Sequence, residues 1–358
     1  MASKPLRVLC VFSTLNRGGA ETMCMNLYRH IDREKVQFDF VKHSPAKGAY
    51  EDEIVALGGK IYEAPRYRLY NHFQYCKWWK RHLTQHPEHR IIHCHFFTMA
   101  SAFFSVAKRA GCSTIVHAHT SKTNNRIKEL MLKSVEKDAD FCFACSQEAG
   151  KWLFPHREFT VLNNAIDTER FMFNPAVRRE YREEFQLKNE YVLGTVARLI
   201  AVKNPFVLIE VFKIVHQKNQ QSKLLWVGDG RLRPEIEQKL REEGLSDSVI
   251  LTGVRSDVPD LLQAMDCFLL PSVFEGLPVT LIEAQGSGLP CFVSETVTKE
   301  ADITGLCQYL PLNSPETWAD AILNDRTKRE NTSQKIIDAG YDIQTTAKWL
   351  EDFYLHIV

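Results

Sequence analysis

Short apolar, β-branched runs alternate along the chain with longer amphipathic stretches. Near-continuous hydrophobic strands separated by helices are typical of parallel sheets covered by helices on both faces. The pattern therefore predicts an α/β protein with two Rossmann-like, doubly wound parallel-sheet domains facing a central cleft. The first series of predicted strands is Arg7–Leu15, Val36–His43, Ile91–Phe96, Thr114–Thr120, Phe141–Ser146 and Val161–Asn164. The second series is Tyr191–Arg198, Lys223–Val227, Val249–Thr252, Cys267–Pro271 and Pro290–Ser294.

A charged segment separates the two series of strands, and it is typical of a solvated helix within a domain link. We expect a first domain over residues 1–165, a linker over 166–189 and a second domain over 190–340, each long enough to bury its own core. The amphipathic stretch at the end of the chain predicts a helix over 341–358. Its pattern suits either a helix that crosses back to the first domain or a closing helix of the second.

Charge is distributed unevenly along the chain, although the formal net charge is only +1. Residues 1–165 hold 24 Lys and Arg against 15 Asp and Glu, and the remaining residues hold 21 against 29. A basic first half indicates contact with a polyanion or an anionic membrane surface, or attraction between the two domains. No apolar run is long enough to span a membrane, and no signal peptide is evident. The ten cysteines lie mostly in apolar patterns, which favours reduced thiols and a cytoplasmic location.

The segment FEGLPVTLIEAQGSGLP, residues 274–290, carries the most chemical information. It follows a predicted buried strand and turns through Gly276 and Pro278 into a helix. Glu275 would lie in the loop above the strand, and Glu283 about one turn into the helix. Backbone N–H groups at a helix N-terminus favour an anionic group, while carboxylates accept hydrogen bonds from hydroxyls. This combination predicts a phosphorylated sugar or a nucleotide as ligand, and therefore a nucleotide-sugar enzyme.

Glycine-containing turns follow several other predicted strands. Gly18 and Gly19 follow the first strand and allow a tight turn, but they match neither the dinucleotide motif nor a P-loop. Taken alone, this pair of glycines favours a plain strand-to-helix turn over a phosphate site. Gly228 lies in a similar turn, WVGDG. The loop Val254–Ser256, which includes Arg255, could hold a base against its backbone.

Two cations follow the first strand of the second series. Arg198 and Lys203 could neutralise a diphosphate leaving group, the arginine by a forked contact and the lysine as a point charge. The alternative for either residue is an ordinary exposed loop.

Two His-x-His pairs lie on predicted strands, so each pair points to one face. No carboxylate or further histidine follows at metal-ligand spacing, and we expect no metal site. His119, nearest the end of its strand, could hydrogen-bond a substrate hydroxyl or stabilise charge. His93, His95 and His117 are interpreted as satisfied structural histidines.

Arg198, Lys203 and the Glu275–Glu283 pair, in that order, resemble the retaining glycosyltransferases of family 4, which have the GT-B fold. The resemblance covers nearly the whole chain, and its E-x7-E signature stands in the context FEGLPVTLIEA. The segments VFSTLNRGGAETMCMNLYRHID, FACSQEAGKWLF and VLNNAIDTERF resemble the bacterial exopolysaccharide and capsule branch of that family.

The resemblance implies a role for each matching position. Glu283 would hold the ribose hydroxyls of the donor, and Glu275 would contact the transferred sugar. Arg198 and Lys203 would bind the diphosphate, and His119 would lie beside the sugar. The remaining positions would surround the donor: Gly276, Leu277, Pro278 and Val279 near sugar and phosphate, with Gly18 and Gly19 framing the donor phosphates and the acceptor mouth.

The resemblance also implies an activity, which needs neither a metal ion nor a cofactor. The donor would be a nucleotide sugar, with UDP-sugar favoured by family habit, and the acceptor a saccharide or a polyprenyl-diphosphate-linked saccharide. A hexose or an N-acetylhexosamine would be transferred with retention by front-face attack. The alternatives are a nucleotide-sugar epimerase or a phosphorylase of similar architecture, and a degenerate, non-catalytic partner subunit.

Residues 64–87 contain no acidic side chain, and their five Lys and Arg are interleaved with aromatic residues. Cations beside aromatics are typical of a membrane interface or of a lipid-diphosphate acceptor site. No nucleic-acid motif accompanies them, so we expect no nucleic-acid partner. The hypothesis is peripheral contact with an anionic membrane, at the inner face of the cytoplasmic membrane. The alternative is a surface helix whose aromatics pack inward.

Overall fold

The computed structural model describes residues 4–119, 135 and 137–358. The chain divides into two compact units, Met1–Ala165 with Gly340–Val358 and Ile166–Ala339. Each unit is built on one parallel sheet, seven-stranded in the first and six-stranded in the second. The predicted class of two doubly wound α/β sheets is therefore confirmed.

The sheet of the first unit has the strand order β3-β2-β1-β4-β5-β6-β7. Its strands are β1 Leu6–Val11, β2 Val36–Lys42, β3 Ile61–Glu63, β4 His89–Cys94, β5 Ser113–Ala118, β6 Phe141–Ala144 and β7 Thr160–Val161. Its described helices are α1 Gly19–His30, α2 Glu51–Ala56, α3 His72–Gln85, α4 Phe97–Arg109, α5 Gln147–Leu153 and, at the end of the chain, α14 Ile343–His356. A 3₁₀ turn, Leu69–Asn71, precedes α3.

Alternation along the strands divides the side chains of this sheet between two cores. Leu9 and Val11 join the core formed with α3 and α4, whereas Val8 and Cys10 join the core formed with α1 and α14. The buried residues of α14 recur at helical spacing: Ile343, Ala347, Leu350 and Tyr354. The last helix therefore packs within the first unit, which is one of the two alternatives that its sequence allows.

The sheet of the second unit has the order β10-β9-β8-β11-β12-β13. Its strands are β8 Tyr191–Val196, β9 Ser222–Val227, β10 Val249–Gly253, β11 Cys267–Leu270, β12 Cys291–Ser294 and β13 Cys307–Leu310. Its helices are α6 Thr168–Phe171, α7 Pro175–Glu184, α8 Pro205–Lys218, α9 Arg233–Glu242, α10 Val258–Ala264, α11 Val279–Gly286, α12 Pro315–Asn324 and α13 Ser333–Asp338. Short 3₁₀ turns cover Ala201–Lys203, Ser246–Ser248 and Lys299–Ala301.

Residues 166–189 differ from the expected linker, because they form α6 and α7 and pack within the second unit. Arg178 and Arg182, one helical turn apart, both reach Asp266, with Nη–Oδ distances of 2.6 and 3.3 Å. Tyr181 donates a hydrogen bond of 2.9 Å to Asp257. The helix is charged because its partners are carboxylates and carbonyls, and not because it faces solvent all round.

Both sheets reverse their strand order next to their first strand, between β1 and β4 and between β8 and β11. Such a reversal separates the loops that follow the two strands and is the usual ligand position in open α/β sheets. Several strands end earlier than predicted, and Thr120 lies outside the described residues. The edge strands β3 and β13 were not predicted. Among the described helices, none combines the length and apolar character that crossing a bilayer requires.

Candidate active site

The loops after β8 and β11 meet at the strand-order reversal of the second unit. The backbone N–H of Val273 donates to the carbonyl of Val202 at 2.9 Å. Lys203 Nζ lies 2.5 Å from Glu275 Oε1, and the two side chains are only 18% and 12% exposed. The structure thus brings together two predicted site residues that the sequence assigned to different parts of a ligand. Their opposite charges form a partly buried ion pair.

Arg198 leaves the same strand end as an exposed side chain. Its guanidinium forms no hydrogen bond or ion pair with the residues that the structure describes. A planar cation with five free N–H donors is suited to forked recognition of phosphate oxygens.

Backbone hydrogen bonds also connect the loop after β8 with the loop after β9, and the loop after β9 with the end of β10. Leu199 donates to the carbonyl of Asp229 at 3.0 Å, and Gly228 donates to that of Gly253 at 2.8 Å. Gly228 has a φ of +138°, and a Cβ there would lie 2.1 Å from the carbonyl oxygen of Ala197. Only glycine fits this position without strain, so Gly228 acts by allowing the loops to approach each other.

The loop after β10 is only partly available to a ligand. Val254 is 66% exposed. Arg255 is held by Asp257, with Nε 2.8 Å from Oδ1, and by Glu184 at 3.4 Å. Arg255 therefore stabilises its own loop, and a ligand could use the backbone and Val254 more readily than this guanidinium.

Helix α11 begins at Val279 directly after the β11 loop, with Pro278 in the N-cap position and no side chain accepting from its first turn. The amide groups of a helix start that lack a side-chain cap can bind an anion. The preceding Leu277 is half-buried, whereas Gly276 is exposed and has open space around its Cα.

Glu283 lies in the second turn of α11 and is half-buried. Its carboxyl group forms no hydrogen bond or ion pair with any described residue. Burial raises its pKa to about 7. A carboxyl group in this state is a candidate acceptor for two adjacent ligand hydroxyls.

In the first unit, His119 follows β5 and is half-buried. Its Nε2 lies 2.9 Å from Nδ1 of His95, which follows β4. Burial lowers the pKa of His119 to about 3, so the ring is neutral at physiological pH. The predicted site residue is therefore held by a second histidine and can exchange a hydrogen bond without carrying charge.

His93, His95 and His117 are predicted to be structural histidines with all their hydrogen bonds made. In the structure this holds for His93 but not for the other two. His93 is fully engaged, with Nδ1 2.6 Å from Tyr354 Oη and Nε2 3.2 Å from His117 Nδ1. The Nε2 atoms of His95 and His117 are buried without a partner among the described residues. The cause is strand alternation, which places four imidazoles of β4 and β5 on the same face.

Gly18 and Gly19 lie where the β1 loop enters α1. Gly18 has φ −100°, so a left-handed conformation is not the reason for glycine. A Cβ on Gly18 would come within 2.3 Å of Glu21 Oε2, whereas Gly19 has open space. Glu21 is a further candidate, and its sequence signal is an acidic residue in the first helical turn after two glycines. Burial raises the pKa of this carboxyl group.

Ser272, two residues after the end of β11, is a further candidate that the sequence pattern does not indicate. Its Oγ is buried without a partner among the described residues, and its carbonyl accepts a hydrogen bond of 2.9 Å from Thr296. An unsatisfied hydroxyl at this strand end is a further candidate ligand contact.

Two family models match this chain. Residues 17–170 match the model described as Glycosyltransferase Family 4, and residues 190–324 match the model described as Glycosyl transferases group 1.

Relatives of similar length extend this result. The protein EpsF of Bacillus subtilis (strain 168) is 33% identical, over 99% of this chain and 97% of its own. The UDP-Gal:alpha-D-GlcNAc-diphosphoundecaprenol alpha-1,3-galactosyltransferase of Escherichia coli is 28% identical, over 77% of this chain and 78% of its own. The solved structure of Anabaena HepE in complex with UDP and glucose shares the fold, with a TM-score of 0.79 at 18% identity over 98% of this chain and 99% of that one.

The buried carboxyl group of Glu283 predicts a pH-dependent stability difference. A glutamate in an unfolded chain titrates at about pH 4.3. The folded state therefore binds the proton of the Glu283 carboxyl group more tightly than the unfolded state does. The resulting stabilisation is present below that pH and is lost as pH rises through about 7. Glu283→Gln should therefore become increasingly stable relative to the native protein between about pH 5 and about pH 8. Urea unfolding of both proteins measures the difference.

Glu316→Gln, at an exposed position in the same unit, controls for the change of charge. A stability difference for Glu283→Gln that stays constant across this pH range would contradict the assignment.

Proposed function

The chain belongs to glycosyltransferase family 4, and from this premise we propose that it transfers a hexose or an N-acetylhexosamine from a nucleotide sugar to a saccharide acceptor, with retention of configuration. The process it serves is the synthesis of an exopolysaccharide or capsule. The observation that carries the proposal is the Lys203–Glu275 pair at the strand-order reversal. Arg198, which has no side-chain partner among the described residues, lies on the same loop.

The departing diphosphate is the group that most needs stabilisation in such a reaction. Arg198 offers a fork of N–H donors, and the start of α11 offers backbone amides. Lys203 offers a point charge that Glu275 holds in place before the donor arrives. Preorganised positive groups of this kind stabilise charge that develops in the transition state. These groups supply the positive charge themselves, so the proposed reaction needs no metal ion and no cofactor.

Donor binding would break the Lys203–Glu275 ion pair, and each side chain would then contact a different part of the ligand. A diphosphate competes with Glu275 for the ammonium group, because both are anions. The carboxylate released in this way can accept hydrogen bonds from hydroxyls of the transferred sugar. Before the donor binds, the ion pair keeps both side chains ordered. The donor then replaces the contact between them.

The nucleoside end of the donor would lie along α11 and the neighbouring loops. Glu283, whose carboxyl group has no described partner, is suited to the two ribose hydroxyls. Val254 and the backbone of its loop are suited to the base. UDP is favoured, because the HepE structure is described with UDP and the Escherichia coli relative is named for UDP-Gal.

His119 and the turn at Gly18 and Gly19 belong to the first unit. The role of this unit would be to contact the transferred sugar and the acceptor. A neutral imidazole can hydrogen-bond a sugar hydroxyl, and its link to His95 fixes the ring. The name of the Escherichia coli relative includes a diphosphoundecaprenol acceptor, which supports a polyprenyl-diphosphate-linked acceptor here.

Peripheral membrane contact would suit such an acceptor, and one surface of the first unit has the required chemistry. Leu69, Tyr70 and Phe73 are 67%, 82% and 89% exposed. Phe73 shares one face of α3 with three exposed cations four, seven and eight positions later: Lys77, Lys80 and Arg81. Exposed aromatics beside cations favour anionic lipid. Tyr75 and Trp79 are buried in the core instead, and Tyr67 and Trp78 pack partly buried against it. The inward-packing alternative therefore holds for four of the six aromatic residues of the segment, and Tyr70 and Phe73 remain exposed.

A panel of nucleotide sugars tests the proposal. We expect slow release of nucleoside diphosphate from a UDP-sugar alone, and faster release with a lipid-linked saccharide acceptor. Activity should need no added metal ion. Conversion of the nucleotide sugar without an acceptor product would favour an epimerase, and an absence of both turnover and binding would favour a non-catalytic partner.

Lys203→Ala should lower turnover by about 10² to 10³-fold, the usual effect of removing one preorganised group that stabilises developing negative charge. Unfolding free energy should fall by less than about 3 kcal/mol, the lower limit for breaking a fully buried pair, because both side chains keep some contact with solvent. Steady-state kinetics and urea unfolding measure the two effects.

The matched control is Lys218→Ala, which removes an exposed ion pair with Asp320 in the same unit. Native turnover in Lys203→Ala would refute the role given to this residue.

Tyr70→Ser with Phe73→Ser should weaken binding to vesicles that contain an anionic phospholipid, while turnover of a soluble acceptor analogue stays native. Lys77→Glu with Lys80→Glu should weaken vesicle binding further, by roughly 1 kcal/mol for each cation lost. Sedimentation with vesicles at low and high salt measures both.

The control is Lys328→Glu, which changes an exposed lysine of the second unit and leaves the proposed surface intact. If the native protein fails to bind anionic vesicles at any salt concentration, the membrane contact is wrong.

A further inference from the structure

Three potential metal ligands meet beneath α1 in the first unit. Cys10 lies on β1, Cys24 on α1 and His95 directly after β4. The two sulfur atoms and a ring nitrogen all lie within 4.8 Å of one another. The three residues are 1%, 2% and 7% exposed. Neither the proposed donor site nor the proposed membrane contact uses the two cysteines.

The orientation of His95 leaves one nitrogen available to a ligand. Its Nδ1 lies 2.9 Å from His119 Nε2, while its Nε2 is buried without a partner among the described residues. Phe12 stacks on one side of the ring, with centroids 4.4 Å apart, and His93 stacks at 4.2 Å. If Nδ1 carries the proton and donates a hydrogen bond to His119 Nε2, the Nε2 atom of His95 presents a lone pair. Metal-bound histidines are usually oriented by such a second hydrogen bond.

We propose that Cys10, Cys24 and His95 bind one Zn²⁺ ion. Two sulfurs and one imidazole nitrogen are ligands that zinc prefers, and zinc sites with two cysteines and one histidine leave a fourth position open. On binding, each thiol gives up its proton to solvent, so that two thiolates neutralise the dipositive ion. A neutral site suits a buried position, and the absence of oxygen ligands excludes Mg²⁺ and Ca²⁺.

A second group of close ligands on the same face is less suited to a metal ion. His93, His95 and His117 also place nitrogen atoms within 4.8 Å of one another. Both nitrogens of His93, however, already have partners, Tyr354 and His117. A metal ion bound through His93 would have to displace a hydrogen bond, whereas His95 keeps one nitrogen, Nε2, without a partner among the described residues.

Bound zinc would act on His119 through His95. A cation on Nε2 polarises the ring and strengthens the hydrogen bond from Nδ1–H to His119, so that His95 becomes a positioning residue. This consequence rests on the proposed function, because only there does His119 face the sugar. The test below measures metal binding and not sugar transfer. Failure of the zinc proposal is therefore distinguishable from failure of the proposed function.

The test uses the full chain produced in cells supplied with Co²⁺ in place of Zn²⁺, because buried ligands are best loaded during folding. We expect about one metal ion per chain by elemental analysis, with the intense near-ultraviolet absorption of thiolate-bound cobalt. Cys10→Ser with Cys24→Ser should lose both the metal and the absorption. His95→Gln should lose at least ten-fold in affinity in competition with a chelator. Cys145→Ser changes a buried cysteine of the same unit that lies outside the cluster, and should bind as the native protein does.

A native chain that takes up no metal under reducing conditions would overturn the proposal. Retention of metal with unchanged absorption in the double cysteine variant would do the same. If that variant fails to fold, the absorption of the native chain and the affinity of His95→Gln still decide the outcome.

Discussion

The proposed chemistry of the second unit depends on one constraint, the connection between the loops after β8 and β11. Parallel strands release their loops at the same edge, and the reversal of strand order leaves space between two of them. Here the hydrogen bond from Val273 to Val202 and the ion pair between Lys203 and Glu275 hold the loops together. A cation and an anion are thereby fixed at the point where a ligand would contact both.

The four clustered histidines of the first unit, His93, His95, His117 and His119, are likewise explained by the geometry of neighbouring parallel strands. Each strand has a two-residue repeat, and β4 pairs with β5 in register. Two His-x-His pairs therefore become a group of four stacked imidazoles that are neutral because they are buried. One end reaches His119 at the strand ends, and the other is anchored to Tyr354 of the last helix. Burial makes these rings hydrogen-bonding groups and potential ligands, but not charges.

Much of the fold could be predicted from the sequence, because buried parallel strands are apolar throughout their length. The edge strands β3 and β13 escaped prediction, since each is short and only partly buried. The composition of α6 and α7 predicts a linker, because a charged helix that meets Asp266 and backbone carbonyls has the same composition as one in solvent.

The site could be predicted only as a set of strand ends. The order of motifs placed Arg198, Lys203, Glu275 and Glu283 near one edge of a sheet. It did not predict that Lys203 and Glu275 pair, that Arg255 is held by Asp257, or that Cys10 and Cys24 lie beside His95. Such contacts join residues far apart along the chain, and local pattern carries no information about them.

The decisive measurement is a crystal structure with a bound, non-hydrolysable UDP-sugar. We expect the diphosphate to lie within hydrogen-bond distance of Lys203 Nζ and the Arg198 guanidinium, with Glu275 turned toward the sugar and Glu283 toward the ribose. A diphosphate bound elsewhere, with the Lys203–Glu275 pair intact, would show that this pair does not bind the donor.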